Sequence, residues 1–283
     1  MNGFTRHTFS VCVLILSVAS AAIAQKMKPD EIVAKHLESI GTAEVRGSIK
    51  SQMTVGDAAV TFVSQKNQAA VGRIVMASAG NKNFLGLQLN AADYPGDQFS
   101  FDGSKAKAAR VINGQRSYLT TFVEANQIVL KDSLLGGVLA SSWALNDLAS
   151  KRPKLSSGGL KKIEGKEYYA VDYSPKGGGD VDITLYFEKD TFRHARTEYK
   201  RTSSAAIGRT PEQSSGFDET RLKVIETFGD FRDEKGLMLP HTYKFVYSEI
   251  GQRGTREVEW AFTLNEFAFN QPIDEKTFDI DAK

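Results

Sequence analysis

The chain has 283 residues, of which 41% are hydrophobic and 25% are charged, an ordinary globular composition. Its formal net charge is +2, from 36 Lys and Arg against 34 Asp and Glu. Without a large basic excess to meet phosphates, a nucleic-acid partner is not expected.

Residues 1–24 have the pattern of a secretory signal peptide. Arg6 opens a weakly basic segment, the run FSVCVLILSVASAA is apolar, and Ala22-Ile23-Ala24 offers small residues for cleavage. A membrane anchor is the alternative, but the run is shorter than the roughly 20 residues that span a bilayer. We therefore expect cleavage after Ala24 and a periplasmic or secreted protein.

Cys12 is the only cysteine, and it lies inside the apolar run. It follows Phe9-Ser10-Val11 instead of the Leu and small residues of a lipoprotein signal, so acylation is not expected. The mature chain then has no disulfide and no thiol chemistry. No linker divides residues 25–283, which predicts a single domain.

An amphipathic helix is predicted at KPDEIVAKHLESIG. Pro29 suits a first helical position, and Gly41 is typical of a helix end. Residues 45–112 then alternate with period two and predict about six antiparallel strands joined by short turns.

Residues 116–149 interrupt this pattern and favour helix, so we predict a helical insertion or lid. After residue 155 strands return, with turns at Glu164-Gly165 and Gly177–Asp180. The small, polar segment 202–218 predicts a flexible loop.

The pattern predicts a mainly β (α+β) fold of about 11 strands, within a range of eleven to thirteen. Sheet twist accumulates along so long a meander, so the antiparallel sheet should curve strongly into an incomplete barrel. The N-terminal helix and the insertion would cap it.

The sequence offers few signs of catalysis. His36, His194 and His241 stand in no metal-binding spacing, and Gly-x-Ser-x-Gly and nucleotide-binding glycine motifs are absent. Paired acids such as Asp180 and Asp182 are typical of a solvent-facing strand side. We expect no catalytic residues, no metal and no cofactor.

The run KDSLLGGVLASSWALNDL stands out because it is apolar and nearly uncharged. Drawn as one helix over 131–149, its large apolar residues cover about half the circumference, and small residues cover the rest. Such a helix must fill the mouth or the concave face of the sheet. Gly136-Gly137 within it indicates either close packing or a hinge.

The order of elements resembles the LolA/LolB-like periplasmic lipoprotein carriers. The segments FGDFRDEKGLMLPHTYKF and NEFAFNQPIDEKTFDI are similar to that family's strand pair and closing segment. The resemblance covers nearly the whole mature chain. It implies a curved half-barrel with helices over an apolar cavity that accepts acyl chains, although the family's cavity arginine has no assignable position here.

Three functions remain open from the sequence. The first is a carrier of lipid or acylated protein, with membrane-associated donor and acceptor proteins. The second is a sensor or interaction module without lipid, and the third is an enzyme in which His194 or His241 meets a carboxylate in a cleft. The candidate cavity-lining residues are Leu134, Leu135, Val138, Leu139, Trp143, Phe99, Phe101, Tyr243, Phe245, Tyr247, Trp260 and Phe262.

Overall fold

The computed structural model describes residues 27–65, 68–110, 116–204, 219–251 and 254–282. The predicted signal peptide, with Cys12, and residues 205–218 of the predicted loop lie outside these ranges. Among the described residues, no helix is long and apolar enough to cross a membrane.

Twelve antiparallel strands in the described ranges form one open sheet in the order β5-β4-β3-β2-β1-β12-β11-β10-β9-β8-β7-β6. Two meanders, β1 to β5 and β6 to β12, join where β1 pairs with β12. The strands are β1 Ser51–Phe62, β2 Gln68–Ala79, β3 Lys82–Leu89, β4 Gly96–Phe101, β5 Ala106–Arg110, β6 Lys154–Ile163, β7 Lys166–Ser174, β8 Asp182–Glu188, β9 His194–Ser203, β10 Thr220–Glu234, β11 Leu237–Gly251 and β12 Gly254–Phe269.

The sheet does not close, because β5 and β6 are its two edges. The prediction of a curved, incomplete antiparallel barrel of about 11 strands is therefore confirmed. The two turns predicted after residue 155 lie between β6 and β7 and between β7 and β8. At Glu164-Gly165 both residues have positive φ, which is the geometry of a two-residue hairpin turn.

Five helices lie in the described part of the chain: α1 Pro29–Ile40, α2 Ala43–Ser48, α3 Tyr118–Ala125, α4 Ile128–Lys131 and α5 Leu148–Lys151. Helix α1 matches the prediction and buries Ile32, Val33, His36 and Ile40. It contacts β6, β11 and the turn Ala144–Asp147.

Several local predictions were wrong. Residues 131–149 are not one helix but two short 3₁₀ turns, Gly137–Leu139 and Ala144–Asp147, between α4 and α5. The described residues of the range 45–112 form five strands, after the end of α2, instead of six. Thr202 and Ser203 belong to β9, not to a loop, because they pair with β10.

The reason for the broken helix is tertiary. We call residues 116–153, which join β5 to β6, the insertion. Its segments follow the concave wall of the sheet, so their side chains are buried on several sides. A straight helix would contact the curved sheet with one face only. A series of short turns can follow the curvature and contact the sheet along its whole length.

Candidate functional site

The concave side of the sheet and the insertion form one apolar body. All twelve residues predicted to line a cavity are buried and belong to one continuous hydrophobic cluster. Tyr118 stacks on Tyr247 with ring centroids 5.2 Å apart, and Phe122 meets Tyr199 at 5.5 Å. The structure thus brings the predicted residues together, while their contact with a ligand stays a prediction.

The insertion occupies the space that the sequence assigned to a cavity. Trp143 is fully buried, and Leu134, Leu135, Val138 and Leu139 are each at most 6% exposed. The side chains of the insertion therefore cover the concave wall. An acyl chain on this part of the concave wall would have to exchange with them.

Polar contacts fix the insertion to β2 and β3. Ser141 donates its backbone N–H to Ser78 Oγ at 2.8 Å, and the two hydroxyl oxygens are 2.9 Å apart. Asn83 Nδ2 donates to Leu130 O and to Ser133 Oγ, both at 2.7 Å. These contacts hold an apolar segment in a single register, which hydrophobic packing alone does not specify.

A further contact joins the insertion to the far meander. Tyr173 on β7 donates to Asp132 Oδ2 at 2.8 Å, and Lys151 Nζ lies 3.7 Å from Asp132 Oδ1. Burial raises the pKa of Tyr173, and Asp132 adds to the rise. The tyrosine therefore keeps its proton and remains a donor.

Gly136 and Gly137 have φ values of 80° and 50°, in the left-handed region that favours glycine. A Cβ on Gly136 would stand 2.1 Å from Met76 Cε, and one on Gly137 would stand 3.0 Å from His194 Nδ1. Of the two roles the sequence left open for this pair, the structure has the close-packed one.

Glu226 is a fully buried carboxyl group in the concave wall. Its Oε1 accepts hydrogen bonds from Gly136 N at 2.8 Å and Tyr243 Oη at 2.5 Å, and its Oε2 accepts one from Tyr199 Oη at 2.6 Å. Burial raises the pKa of Glu226 to about 7, against the lowering effect of these three donors. The insertion and two strands thus meet at one ionisable group.

A second buried cluster joins α1, the insertion and the sheet. The rings of His36 and Trp143 are 5.2 Å apart, and those of Trp143 and His194 are 5.0 Å apart. His36 Nδ1 lies 2.9 Å from Phe192 O, and His194 Nε2 lies 2.9 Å from Thr197 Oγ1. Burial lowers the pKa of His36 to about 3 and lowers that of His194 as well, so both rings are neutral.

A pocket of about 360 Å³ opens at the mouth of the barrel where α3 begins; we call it the mouth pocket. Asp97, at its base, accepts hydrogen bonds from Tyr94, from Ser117 at 2.7 Å and from Thr120 at 2.7 Å. Burial raises the pKa of Asp97, opposed by these donors. Trp260 Nε1 donates to Tyr94 Oη at 3.0 Å, so the pocket is mixed in polarity.

A wider groove of about 950 Å³ lies against the opposite, outer face of the sheet. Exposed residues such as Asp57, Arg73 and Thr242 line it, together with Lys244. Apolar residues, among them Ala59, Val71 and Ala261, share this lining with the charged ones, so the groove is mixed in character.

His241 meets a carboxylate, as the enzyme hypothesis requires. Its Nε2 lies 3.0 Å from Glu234 Oε1. Neither residue lines the mouth pocket or the outer groove. His194, the other histidine named in that hypothesis, has a threonine partner in the cluster with His36.

The sequence reasoning missed Glu226, Asp97 and Asp132. A signal for Glu226 was present, because the alternation Leu222, Val224, Glu226, Phe228 places it on the buried side of β10. Among the described residues, no group of three or more His, Cys, Asp or Glu side chains is placed to hold a metal ion.

No protein-family model and no curated protein matches the chain. A solved structure of a LolA superfamily protein from Nitrosomonas europaea is similar to it, with 14% identity and a TM-score of 0.47, over 91% of this chain and 100% of that one.

Two further solved structures show a similar relation. A DUF1329 family protein from Desulfovibrio piger has 8% identity and a TM-score of 0.44, over 90% of this chain and 99% of that one. A domain named for outer membrane lipoprotein sorting, from Vibrio parahaemolyticus, has 11% identity and a TM-score of 0.41, over 88% and 97%. The likeness expected from the sequence is thus found, as a distant one.

Proposed function

We propose that this is an exported, non-enzymatic protein that binds an acyl chain of a lipid or a lipidated protein on the concave face of its sheet. The acyl chain would take the place of the insertion. The observation that carries the proposal is the filling of an open apolar half-barrel by an irregular segment of the chain itself.

The exchange is energetically feasible. The five large apolar side chains of the insertion, Leu134, Leu135, Val138, Leu139 and Trp143, each contribute about 1.5–3 kcal/mol on burial. An acyl chain of about sixteen carbons gains on the order of 12 kcal/mol at about 0.8 kcal/mol per CH₂. Because the two gains are similar, loading and release can both be reversible.

The short helices of the insertion support its displacement from the concave wall. Helices α4 and α5 have four residues each, and isolated helices shorter than about 12 residues are marginal in water. Their structure therefore depends on the wall against which they pack. A segment of this kind can leave as several small units instead of one rigid rod.

The second candidate is a sensor or interaction module that binds no lipid. The observation in its favour is that the concave face is already filled by side chains in the described structure. In that case the insertion would be a permanent core, and partner proteins would bind elsewhere on the surface.

The two candidates differ in whether the insertion moves, so a reversible lock separates them. Ser78 Oγ and Ser141 Oγ are 2.9 Å apart, close enough for a disulfide in the Ser78→Cys, Ser141→Cys variant. In a Cys12→Ser background, we expect the oxidised variant to lose binding of a fluorescent fatty acyl probe and the reduced variant to regain it.

Each single-cysteine variant, treated with the same oxidant, is the matched control and should bind as the wild type does. If the oxidised double variant binds the probe as tightly as the reduced one, the acyl chain does not replace the insertion. Native mass spectrometry of protein purified from its own periplasm adds an independent check. Recovery of no acyl species, together with no probe binding, would exclude the lipid-binding function.

A further inference from the structure

Glu226 is a buried acidic residue in the concave wall, and its surroundings are asymmetric. Two of its three hydrogen-bond donors, Tyr199 on β9 and Tyr243 on β11, belong to the sheet. The third, the peptide N–H of Gly136, belongs to the insertion. When the insertion leaves, the two tyrosines stay and the position of the peptide N–H becomes open.

Losing the Gly136 N–H costs free energy at Glu226 Oε1, because this oxygen lies in the buried wall. Glu226 Oε1 keeps its hydrogen bond from Tyr243 and loses one of its two donors, which leaves a buried charged acceptor less well compensated for its desolvation. Water or a ligand must then supply a donor at Glu226 Oε1. A ligand that places an amide N–H there reproduces the contact that Gly136 makes at 2.8 Å.

A ligand that ends in a carboxylate would be repelled by Glu226. Two negative charges would face each other in surroundings of low polarity, where their repulsion is much stronger than in water. The other titratable groups facing Glu226 are Tyr199 and Tyr243, and burial raises the pKa of each. Both therefore stay protonated and neutral, and neither offsets a second negative charge.

From these contacts we infer that Glu226, with Tyr199 and Tyr243, is a headgroup subsite that selects acyl amides over free fatty acids. The inference rests on the proposed function, because the subsite opens only when the insertion is displaced. Glu226 is a specificity-determining residue here, and the Gly136 peptide is the internal group whose place the ligand amide takes.

The test measures affinity for three ligands with the same sixteen-carbon chain at pH 8: hexadecanamide, an N-hexadecanoyl tripeptide amide and hexadecanoic acid. We expect the wild type to prefer at least one amide over the acid by about tenfold or more. Binding of both amides assigns the subsite to acyl amides in general, and binding of the peptide form alone assigns it to lipidated peptides.

The variant Glu226→Gln keeps the shape of the side chain and removes its charge. We expect its preference for amide over acid to fall to within about twofold of equality. Glu198→Gln is the matched control, because Glu198 is a buried glutamate outside the concave cluster, and its preference should equal that of the wild type.

Equal wild-type affinity for the acid and the amides would overturn this inference and leave the acyl-binding function standing. A preference that persists in Glu226→Gln would also overturn it, since the charge would not be its source. If none of the three ligands binds, the proposed function fails, and the headgroup subsite fails with it.

Discussion

Two buried glutamates on neighbouring strands have different kinds of partners on the two faces of this sheet. Glu226 on β10 pairs in register with Thr197 on β9, one residue from Glu198. Glu226 faces the concave wall, where its partners are two tyrosine hydroxyls and a peptide N–H. Glu198 meets the cations Arg196 and Lys200 at 2.7 and 2.6 Å.

The pKa values of these two groups move in opposite directions. Burial by itself raises the pKa of both carboxyl groups. At Glu226 it prevails over three neutral donors and raises the pKa to about 7. At Glu198 the hydrogen bonds from Lys200 and Arg196 outweigh burial and lower the pKa to about 2. The contrast teaches that burial alone does not set ionisation: the partners on each face decide it.

The largest predicted effect comes from placing a second acid on the concave side. Leu139→Glu would bury a carboxylate with no donor designed for it, and we expect a loss of about 4 kcal/mol or more in the free energy of unfolding. Thr242→Glu on the exposed outer side of β11 is the control and should stay within about 0.5 kcal/mol. Urea unfolding measures both. Similar stabilities for the two variants would show that residue 139 is not packed against the wall.

The next effect concerns removal of the inner glutamate itself. Glu226→Ala leaves the Gly136 N–H and two tyrosine hydroxyls without their acceptor, which should cost about 3 kcal/mol. Glu226→Gln keeps an acceptor oxygen and should cost about 1 kcal/mol at pH 6. Equal losses in the two variants would mean that the hydrogen bonds contribute little and that packing dominates.

The pH dependence sharpens the comparison. The pKa of Glu226 lies above its ordinary value of 4.5, so its contribution to stability is full below pH 4.5 and is lost as the pH rises towards 7. Relative to Glu226→Gln, the wild type should therefore lose up to about 3 kcal/mol across that window. Relative to Glu198→Gln, it should gain stability as the pH rises from about 2 to 4.5.

Urea unfolding from pH 2 to 8 for the wild type and both variants measures these differences. The neutral, buried His36 and His194 also make the protein acid-sensitive, because they bind protons only after unfolding. That effect is common to all three proteins and cancels in the differences. If the stability differences of the wild type from Glu226→Gln and from Glu198→Gln changed in the same direction with pH, the contrast between the two faces would be wrong.

The smallest effect is at the outer glutamate. Glu198→Ala should cost about 1 kcal/mol, because Lys200 and Lys223 are partly exposed and their charges are screened by solvent. Raising the salt concentration to about 1 M should reduce this cost, since the Debye length falls to about 3 Å. The cost of Glu226→Ala should not change with salt, since its partners are uncharged.

The sequence determined the architecture because strand alternation and turn chemistry are local. Val181, Ile183, Leu185 and Phe187 alternate along the chain, and all four are buried in the structure. The positive φ at Glu164 and Gly165 follows from a turn that two residues specify. The apolar character of 131–149 likewise required burial, wherever the segment lay.

Only the tertiary structure decided the shape of that segment and the chemistry beneath it. Hydrophobic periodicity predicted one helix, but the curved wall holds short 3₁₀ turns, and Gly136 and Gly137 have the positive φ values that favour glycine. The partners of Glu226 come from positions 136, 199 and 243, far apart in the chain. Contacts of such long range depend on how the sheet curves, and local sequence does not encode them.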